Sequence, residues 1–153
     1  MRVNNMEEKA KKITEELLKN MGFSGEVSVS EEDSILKINL ESEDSGLLIG
    51  NQGETLHALQ LVVGLILNNG SEEWQQVLLD IGGYRVQRED VLRRMVERAA
   101  RRVSESGQDE ELPPMQSFER RLVHMLVEKY PEITSESTGV GRHRQVIVKS
   151  TGL

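Results

Sequence analysis

The spacing of apolar residues predicts two helices and three strands in the first half of the chain. Apolar residues recur at helical spacing over residues 6–20, which predicts an amphipathic helix. Apolar and polar residues alternate at 27–29 and 36–40, and the short polar link between them favours a hairpin of two strands. Residues 54–68 are apolar nearly all round, which predicts a buried helix. A third strand is expected at residues 77–81.

The second half begins after a break at Gly82-Gly83 and predicts two more helices. A long helix over residues 84–106 carries one apolar stripe that runs from Leu92 to Val103. Ser117 is expected to cap a second helix that reaches about residue 129, and Pro131 prevents its continuation. A loop or short edge strand and two further strands are expected at 108–114, 133–138 and 144–150.

The composition favours a globular protein of the cytoplasm. The 153 residues are enough for one ordinary domain or two small ones. The absence of Cys excludes disulfides and thiolate metal sites. No apolar run approaches the roughly 20 residues that span a bilayer, and no apolar leader follows the first Met, so we expect a cytoplasmic location and no membrane span.

Charge is distributed unevenly along the chain, whose net charge is -7. Residues 1–82 carry 6 Lys/Arg and 15 Asp/Glu, whereas residues 83–153 carry 13 Lys/Arg and 11 Asp/Glu. Phosphate binding responds to the local field, so a basic surface in the second half remains compatible with a nucleic-acid partner. We expect such binding to weaken with added salt.

Two glycines bracket a short loop at the start of the buried helix, in the segment Gly50-Asn51-Gln52-Gly53. Bare glycines allow close backbone approach, and a helix N-terminus offers N–H groups and a positive dipole end to a phosphate. The motif alone also fits a tight turn between helices. Glu54 and Thr55 exclude a P-loop, which needs Lys and Ser/Thr at these positions.

The order of elements around this loop resembles a type II KH domain. The resemblance implies that the loop grips about four nucleotides of single-stranded nucleic acid. Its candidate RNA contacts are Ile49, Gly50, Asn51, Gln52 and Gly53.

Arg120 and His124 lie four residues apart in a predicted helix and therefore share one face. Phe118, Leu122 and Met125 are assigned to the other face, so Arg120 and His124 are expected to point toward solvent or a ligand. A solvated helix face is the alternative. The pattern, placed after a Pro-rich loop and before two strands, resembles the R-3-H domain, named for Arg and His separated by three residues. The residues expected to widen this basic surface are Arg121, Arg142, His143 and Arg144.

Two arginines of the long helix, Arg85 and Arg88, project to the same side as its apolar stripe. Guanidinium groups at the edge of a core usually have a partner. A structural carboxylate such as Asp80 and an RNA phosphate are both open as that partner, so both arginines are candidate RNA contacts.

Catalysis is not expected. His124 has no Asp, Glu, Ser or Cys partner at a telling spacing, which leaves a nucleic-acid hydrolase as the weakest hypothesis. His57, His124 and His143 are not at metal-ligand spacing from one another, so neither a metal nor a cofactor is expected.

Nearly the whole chain resembles the Jag family of bacteria, also called SpoIIIJ-associated proteins. Three segments carry the resemblance, GLLIGNQGETL at 46–56, DIGGYR at 80–85 and MQSFERRLVH at 115–124. The resemblance implies RNA binding in the bacterial cytoplasm, a small KH-only partner protein, and links to cell shape, envelope growth or sporulation.

Two departures from the family pattern bear on function. Family members usually carry a basic residue between the loop glycines, whereas Asn51 and Gln52 are neutral, which puts the affinity of the loop in question. Many members also carry a further N-terminal domain, so this chain is expected to be either a short member or part of a longer protein.

The expected fold is α+β. A type II KH domain of order α-β-β-α-α-β covers residues 1–82, and a small R-3-H α/β domain with two helices on a short sheet covers residues 83–153. The expected function is binding of single-stranded RNA or DNA, dominated by backbone contacts because aromatic residues are only 3% of the chain. A protein-interaction adaptor with secondary RNA binding is the alternative, and the oligomeric state is left open.

Overall fold

A computed structural model describes residues 2–152 and divides the chain into two compact units. The first unit ends at Arg85 and the second begins at Val86. This division falls slightly later than the boundary predicted after residue 82, because the helix that follows Gly83 begins within the first unit.

The first unit places three helices against a mixed three-stranded sheet. β2 is the central strand, and it pairs with β1 in antiparallel and with β3 in parallel orientation. The order of elements is that of the expected type II KH domain. They are α1 (Arg2–Asn20), β1 (Glu26–Glu32), β2 (Ile35–Glu41), α2 (Ser45–Ile49), a 3-10 turn (Asn51–Gly53), α3 (Glu54–Asn68) and β3 (Gln76–Ile81).

The β1–β2 hairpin is tighter than the sequence pattern predicted. The polar link expected at residues 31–34 shortens to two residues, because Glu31 and Glu32 still pair with β2. The remaining link residues, Asp33 and Ser34, have φ angles of 52° and 63°. Positive φ at both positions is the geometry of a type I′ turn, whose twist matches that of the flanking strands.

Helix α3 is buried on one side only, so the prediction of a buried helix was wrong for half of its surface. Leu56, Val63 and Leu67 pack into the core of the first unit. The opposite side exposes four apolar residues that we call the α3 outer face, Leu61, Val62, Leu65 and Ile66. A single sheet covers only one side of a helix, so an apolar pattern all round does not by itself establish burial.

The second unit packs two helices on a three-stranded antiparallel sheet of order β4-β6-β5. Its core includes Leu92 and Val103 of the long helix together with Val146 and Val148 of the last strand. This is the expected small α/β domain. Its elements are α4 (Tyr84–Ser106), β4 (Glu110–Glu111), α5 (Ser117–Val127), β5 (Ile133–Thr138), a 3-10 turn (Gly141–His143) and β6 (Gln145–Ser150).

Helix α5 differs from its prediction in both cap and orientation. Gln116 occupies the N-cap position that was assigned to Ser117. Phe118 and Met125 were assigned to the face opposite Arg120, but they are 46% and 56% exposed. The buried face instead contains Glu119 and Val123. A glutamate at the start of the buried stripe concealed its helical period.

Candidate nucleic-acid interface

The segment between α2 and α3, which we call the glycine loop (Gly50–Gly53), reverses the chain in a left-handed conformation. Gly50, Gln52 and Gly53 have φ angles of 73°, 53° and 81°. Glycine adopts this region at little cost, whereas a residue with a Cβ is strained there. The two glycines therefore set the path of the loop.

Close neighbours also require glycine at both positions. A Cβ at Gly50 would collide with the side chain of Thr55. A Cβ at Gly53 would lie 2.8 Å from Cε1 of Tyr84 and 3.5 Å from Nε2 of His57. Tyr84 was recognised in the sequence only as part of the segment DIGGYR, and its contact with the loop was missed.

The loop leads directly into the N-terminus of α3. The N-cap position is Gly53, which has no side chain to cap this end, and Asn51 is exposed beside it. Ile49 packs against the core and Gln52 is half-buried, so the exposed part of the loop is narrow. The N–H groups of Gly53 and Glu54 already donate to the carbonyls of Gly50 and Asn51, and the positive dipole of the helix end favours an anion.

Arg85 lies at the start of α4, and its guanidinium is directed into the first unit. Nε donates to the carbonyl of Leu79 at 2.8 Å, and a terminal nitrogen donates to Gln60 at 2.6 Å. Burial lowers the pKa of Arg85, and the negative charge of Asp80 partly offsets this effect. The main-chain N–H of Arg85 donates to Asp80 as well. These bonds hold Arg85, the last residue of the first unit, to β3 and α3, while a phosphate contact by Arg85 stays a prediction.

Arg88 forms a buried ion pair within the second unit. Its Nε lies 2.7 Å from Oε1 of Glu119, and a terminal nitrogen lies 3.4 Å from Oε2. The main-chain N–H of Gln116 also donates to this carboxylate at 3.3 Å. The structural partner of Arg88 is therefore Glu119 on another helix, which the sequence could not identify.

Arg120 and His124 share a face of α5, as predicted, but that face does not point freely into solvent. Both side chains are half-buried. Arg120 donates from NH1 to the carbonyl of Met115 at 2.7 Å. The ring nitrogens Nδ1 and Nε2 of His124 lie 2.7 Å from the hydroxyl oxygens of Ser135 and Ser137, respectively. The sequence indicated neither serine, although their spacing places both on one face of β5.

The turn between β5 and β6, which we call the basic loop (residues 139–144), lies next to these contacts. The N–H of Met115, whose carbonyl binds Arg120, donates to the carbonyl of Arg144 at 3.2 Å. Arg144 also donates from its side chain to the carbonyl of Gly139 at 3.1 Å. Exposed basic side chains are carried by Arg121 on α5 and by Arg142, His143 and Arg144 in the loop, and their forming one surface stays a prediction.

Residues 2–152 contain neither a candidate metal site nor a candidate membrane-spanning helix. No group of three or more His, Asp or Glu side chains is arranged to hold a metal ion there. No described helix is long and apolar enough to cross a membrane.

Comparison with known proteins matches each unit to a family model. A KH-domain model described as KhpA/KhpB matches residues 7–79, and an R-3-H domain model matches residues 90–150.

Several relatives named RNA-binding protein KhpB are similar over most of the chain. The protein from Clostridium symbiosum is 30% identical over 149 residues, which cover 96% of this chain and 67% of that protein. The protein from Lactiplantibacillus plantarum is 33% identical over 132 residues, or 86% of this chain and 41% of that protein. The Bacillus subtilis protein is 27% identical over 143 residues, or 92% and 69%.

Proposed function

The chain belongs to the KhpB family, as its resemblance to Jag proteins predicted, and we propose that it binds single-stranded RNA without catalysing a reaction. The observation that carries this proposal is the glycine loop at the N-terminus of α3. The name of the relatives, RNA-binding protein KhpB, supports the same ligand.

Backbone groups dominate the proposed contact in the first unit. Asn51 and Gln52 add no charge, so the attraction for a phosphate comes from the helix dipole and N–H donors. The surrounding unit is acidic, with 6 Lys/Arg against 15 Asp/Glu over residues 1–82. We therefore expect modest affinity and little sequence preference from this loop.

The second unit supplies the charge that the glycine loop lacks. The basic loop presents cationic side chains to solvent next to the Arg120 contact, and Arg121 is exposed on α5. Guanidinium groups bind phosphate through several donors at once, which suits a flexible single strand. RNA binding is therefore expected to involve both units and to fall as salt rises.

A filter-binding assay tests the proposal with single-stranded RNA and DNA oligonucleotides at about 50 and 200 mM salt. The double variant Asn51→Asp/Gln52→Asp should weaken binding because it places two carboxylates beside the phosphate. Ser28→Asp/Ser30→Asp, on exposed positions of β1, adds the same charge elsewhere and should have a smaller effect. Failure of the wild-type chain to bind RNA at the lower salt concentration would remove the proposal.

The cellular setting is also a proposal. A cytoplasmic RNA regulator linked to cell shape, envelope growth or sporulation follows from the family resemblance. Crosslinking the protein to RNA in cells and sequencing the bound transcripts would test this role. If the wild-type protein recovered no transcript in larger amount than the Asn51→Asp/Gln52→Asp variant, this role would be contradicted.

A second function, docking of a KH-only partner, is favoured by the α3 outer face. Leu61 and Leu65 are 62% and 52% exposed on the side of α3 that faces away from the core. We propose that a second KH domain of the same type covers this face, because two copies of one helix can pair about a two-fold axis. The KH model matched by this unit is described for both KhpA and KhpB.

Analytical ultracentrifugation of the chain, alone and mixed with a small KH-only protein, tests this docking. Leu65→Glu should abolish the complex because it would bury an unpaired carboxylate. Trp74→Glu, which removes a 66% exposed ring from the connection between α3 and β3, is the matched control and should leave the complex intact. Equal loss in both variants, or no complex with wild type, would contradict the proposed docking.

A further inference from the structure

The ring of His124 is held by contacts within the second unit. Both of its ring nitrogens lie 2.7 Å from serine hydroxyls of β5. A hydroxyl can donate or accept, so the two serines can hold the ring in either neutral tautomer or as the imidazolium. Both ring nitrogens are therefore hydrogen-bonded within the second unit, without any contact to RNA.

Arg120 is linked to the C-terminal end of the basic loop, which joins β5 to β6. Its guanidinium holds the carbonyl of Met115, and the N–H of Met115 holds the carbonyl of Arg144. Arg144 is the last residue of the basic loop, and Ser137, bonded to His124, lies two positions before Gly139, which opens it. His124 therefore contacts the strand that enters the basic loop, and Arg120 is linked to the residue that ends it.

We propose that Arg120 and His124 are positioning residues that fix the basic loop, and that Arg142, His143 and Arg144 of this loop bind the phosphates of single-stranded RNA. This inference rests on the RNA-binding function proposed above and identifies which residues of that surface touch the ligand. Arg120 and His124 act through the strands they hold.

The contacts from α5 add to the hydrogen bonds within the loop, whose two glycines make its ordering costly. Gly139 and Gly141 have φ angles of 89° and 60°. Glycine loses more conformational freedom on ordering than any other residue. Val140 at the tip is exposed. A loop ordered before RNA arrives binds more tightly than one that must be ordered by the ligand, since the entropy cost has already been met in folding.

Removing the serine hydroxyls separates positioning from direct contact. We expect Ser135→Ala/Ser137→Ala to weaken RNA binding about three- to tenfold through loss of two hydrogen bonds that order the loop. Ser135→Thr/Ser137→Thr keeps both hydroxyls and should restore binding. Thr134→Ala removes an exposed hydroxyl from the same strand and is the control. If His124 bound RNA through its nitrogens, freeing them would leave affinity unchanged or raise it, and that result would overturn the proposal.

The salt dependence of binding distinguishes Arg142, proposed to contact phosphate, from Arg120, proposed to position the loop. Each phosphate contact to a single strand contributes roughly 0.7 to the slope of log affinity against log salt. Arg142→Met should lower the slope by about that amount, whereas Arg120→Met should weaken binding with the slope unchanged. An equal fall of the slope in both variants would show that Arg120 also touches phosphate and would overturn its assignment.

Backbone order in the free protein tests the positioning role without RNA. NMR order parameters for residues 139–144 should fall in Ser135→Ala/Ser137→Ala and recover in the threonine variant. Unchanged order in the alanine variant would overturn the inference even if RNA binding persists. Absence of binding by wild type together with the expected loss of order would instead identify the RNA-binding function as the failed premise, and the phosphate assignment would fall with it.

Discussion

Glu119 has no solvent-exposed side-chain surface, and its partner Arg88 is only 17% exposed. The carboxylate accepts two hydrogen bonds from the guanidinium and one from the N–H of Gln116. Removing either charged side chain leaves the other charge without its partner in a mostly buried site. The two deletions are nevertheless unequal, because the partners differ in access to water.

Arg88→Met should be the more damaging change. It leaves the Glu119 carboxylate buried without its cation, for which the expected loss is about 3–5 kcal/mol in the free energy of unfolding. Glu119→Gln keeps a side chain of the same size and leaves an arginine that can reach water, so about 1–3 kcal/mol is expected. Since a small domain has roughly 5–15 kcal/mol of stability in total, Arg88→Met should bring the second unit close to unfolding.

Hydrogen exchange of α5, β5 and β6 amides measures the opening of the second unit separately from that of the first. The double replacement Arg88→Met/Glu119→Leu should recover much of the lost stability, because an apolar pair of similar volume avoids the desolvation of charge. A loss below about 1 kcal/mol for Arg88→Met, or a larger loss for Glu119→Gln, would refute this reasoning.

Three further changes test other features. Gly53→Ala should lower the stability of the first unit by at least about 1–2 kcal/mol in urea denaturation, because of its positive φ and the ring of Tyr84; no loss would show that the loop tolerates a Cβ. Ser34→Gly should raise the unfolding free energy by about 0.5–1 kcal/mol, since glycine relieves a positive φ in the hairpin turn; a lower stability would contradict the turn assignment. The Arg102 guanidinium lowers the pKa of Glu110, so this carboxylate stabilises the fold above its ordinary pKa and loses that effect as pH falls through the folded value. Glu110→Gln should therefore flatten the acid side of the stability–pH curve, and an unchanged curve would count against the pair.

The sequence predicted the elements well because most of them have strong local signals. The alternation in β2, the glycine break before α4 and the stripe from Leu92 to Val103 each reflect a single periodicity. The orientation of α5 could not be predicted in this way, since its buried face begins with Glu119. That glutamate can be buried because Arg88 of another helix neutralises its charge. A local sequence pattern cannot identify a partner that lies so far away along the chain.

The candidate site was predicted in part. The two motifs are recognisable by their spacing, and Arg144, which the sequence groups with Arg120, is linked to it through Met115. The hydroxyl partners of His124 were missed because Ser135 and Ser137 are ordinary strand residues until the sheet brings them against α5. The exposure of the α3 outer face was missed because burial depends on how many layers cover a helix, and a periodicity does not contain that information.

The most direct test of RNA binding is an NMR titration of the chain with a short single-stranded RNA, following every backbone amide. We expect the largest shifts in the glycine loop and the first turn of α3, together with residues 139–144 of the basic loop, and a reduction of both sets at higher salt. No shift in either segment, or shifts confined to the α3 outer face, would contradict the account.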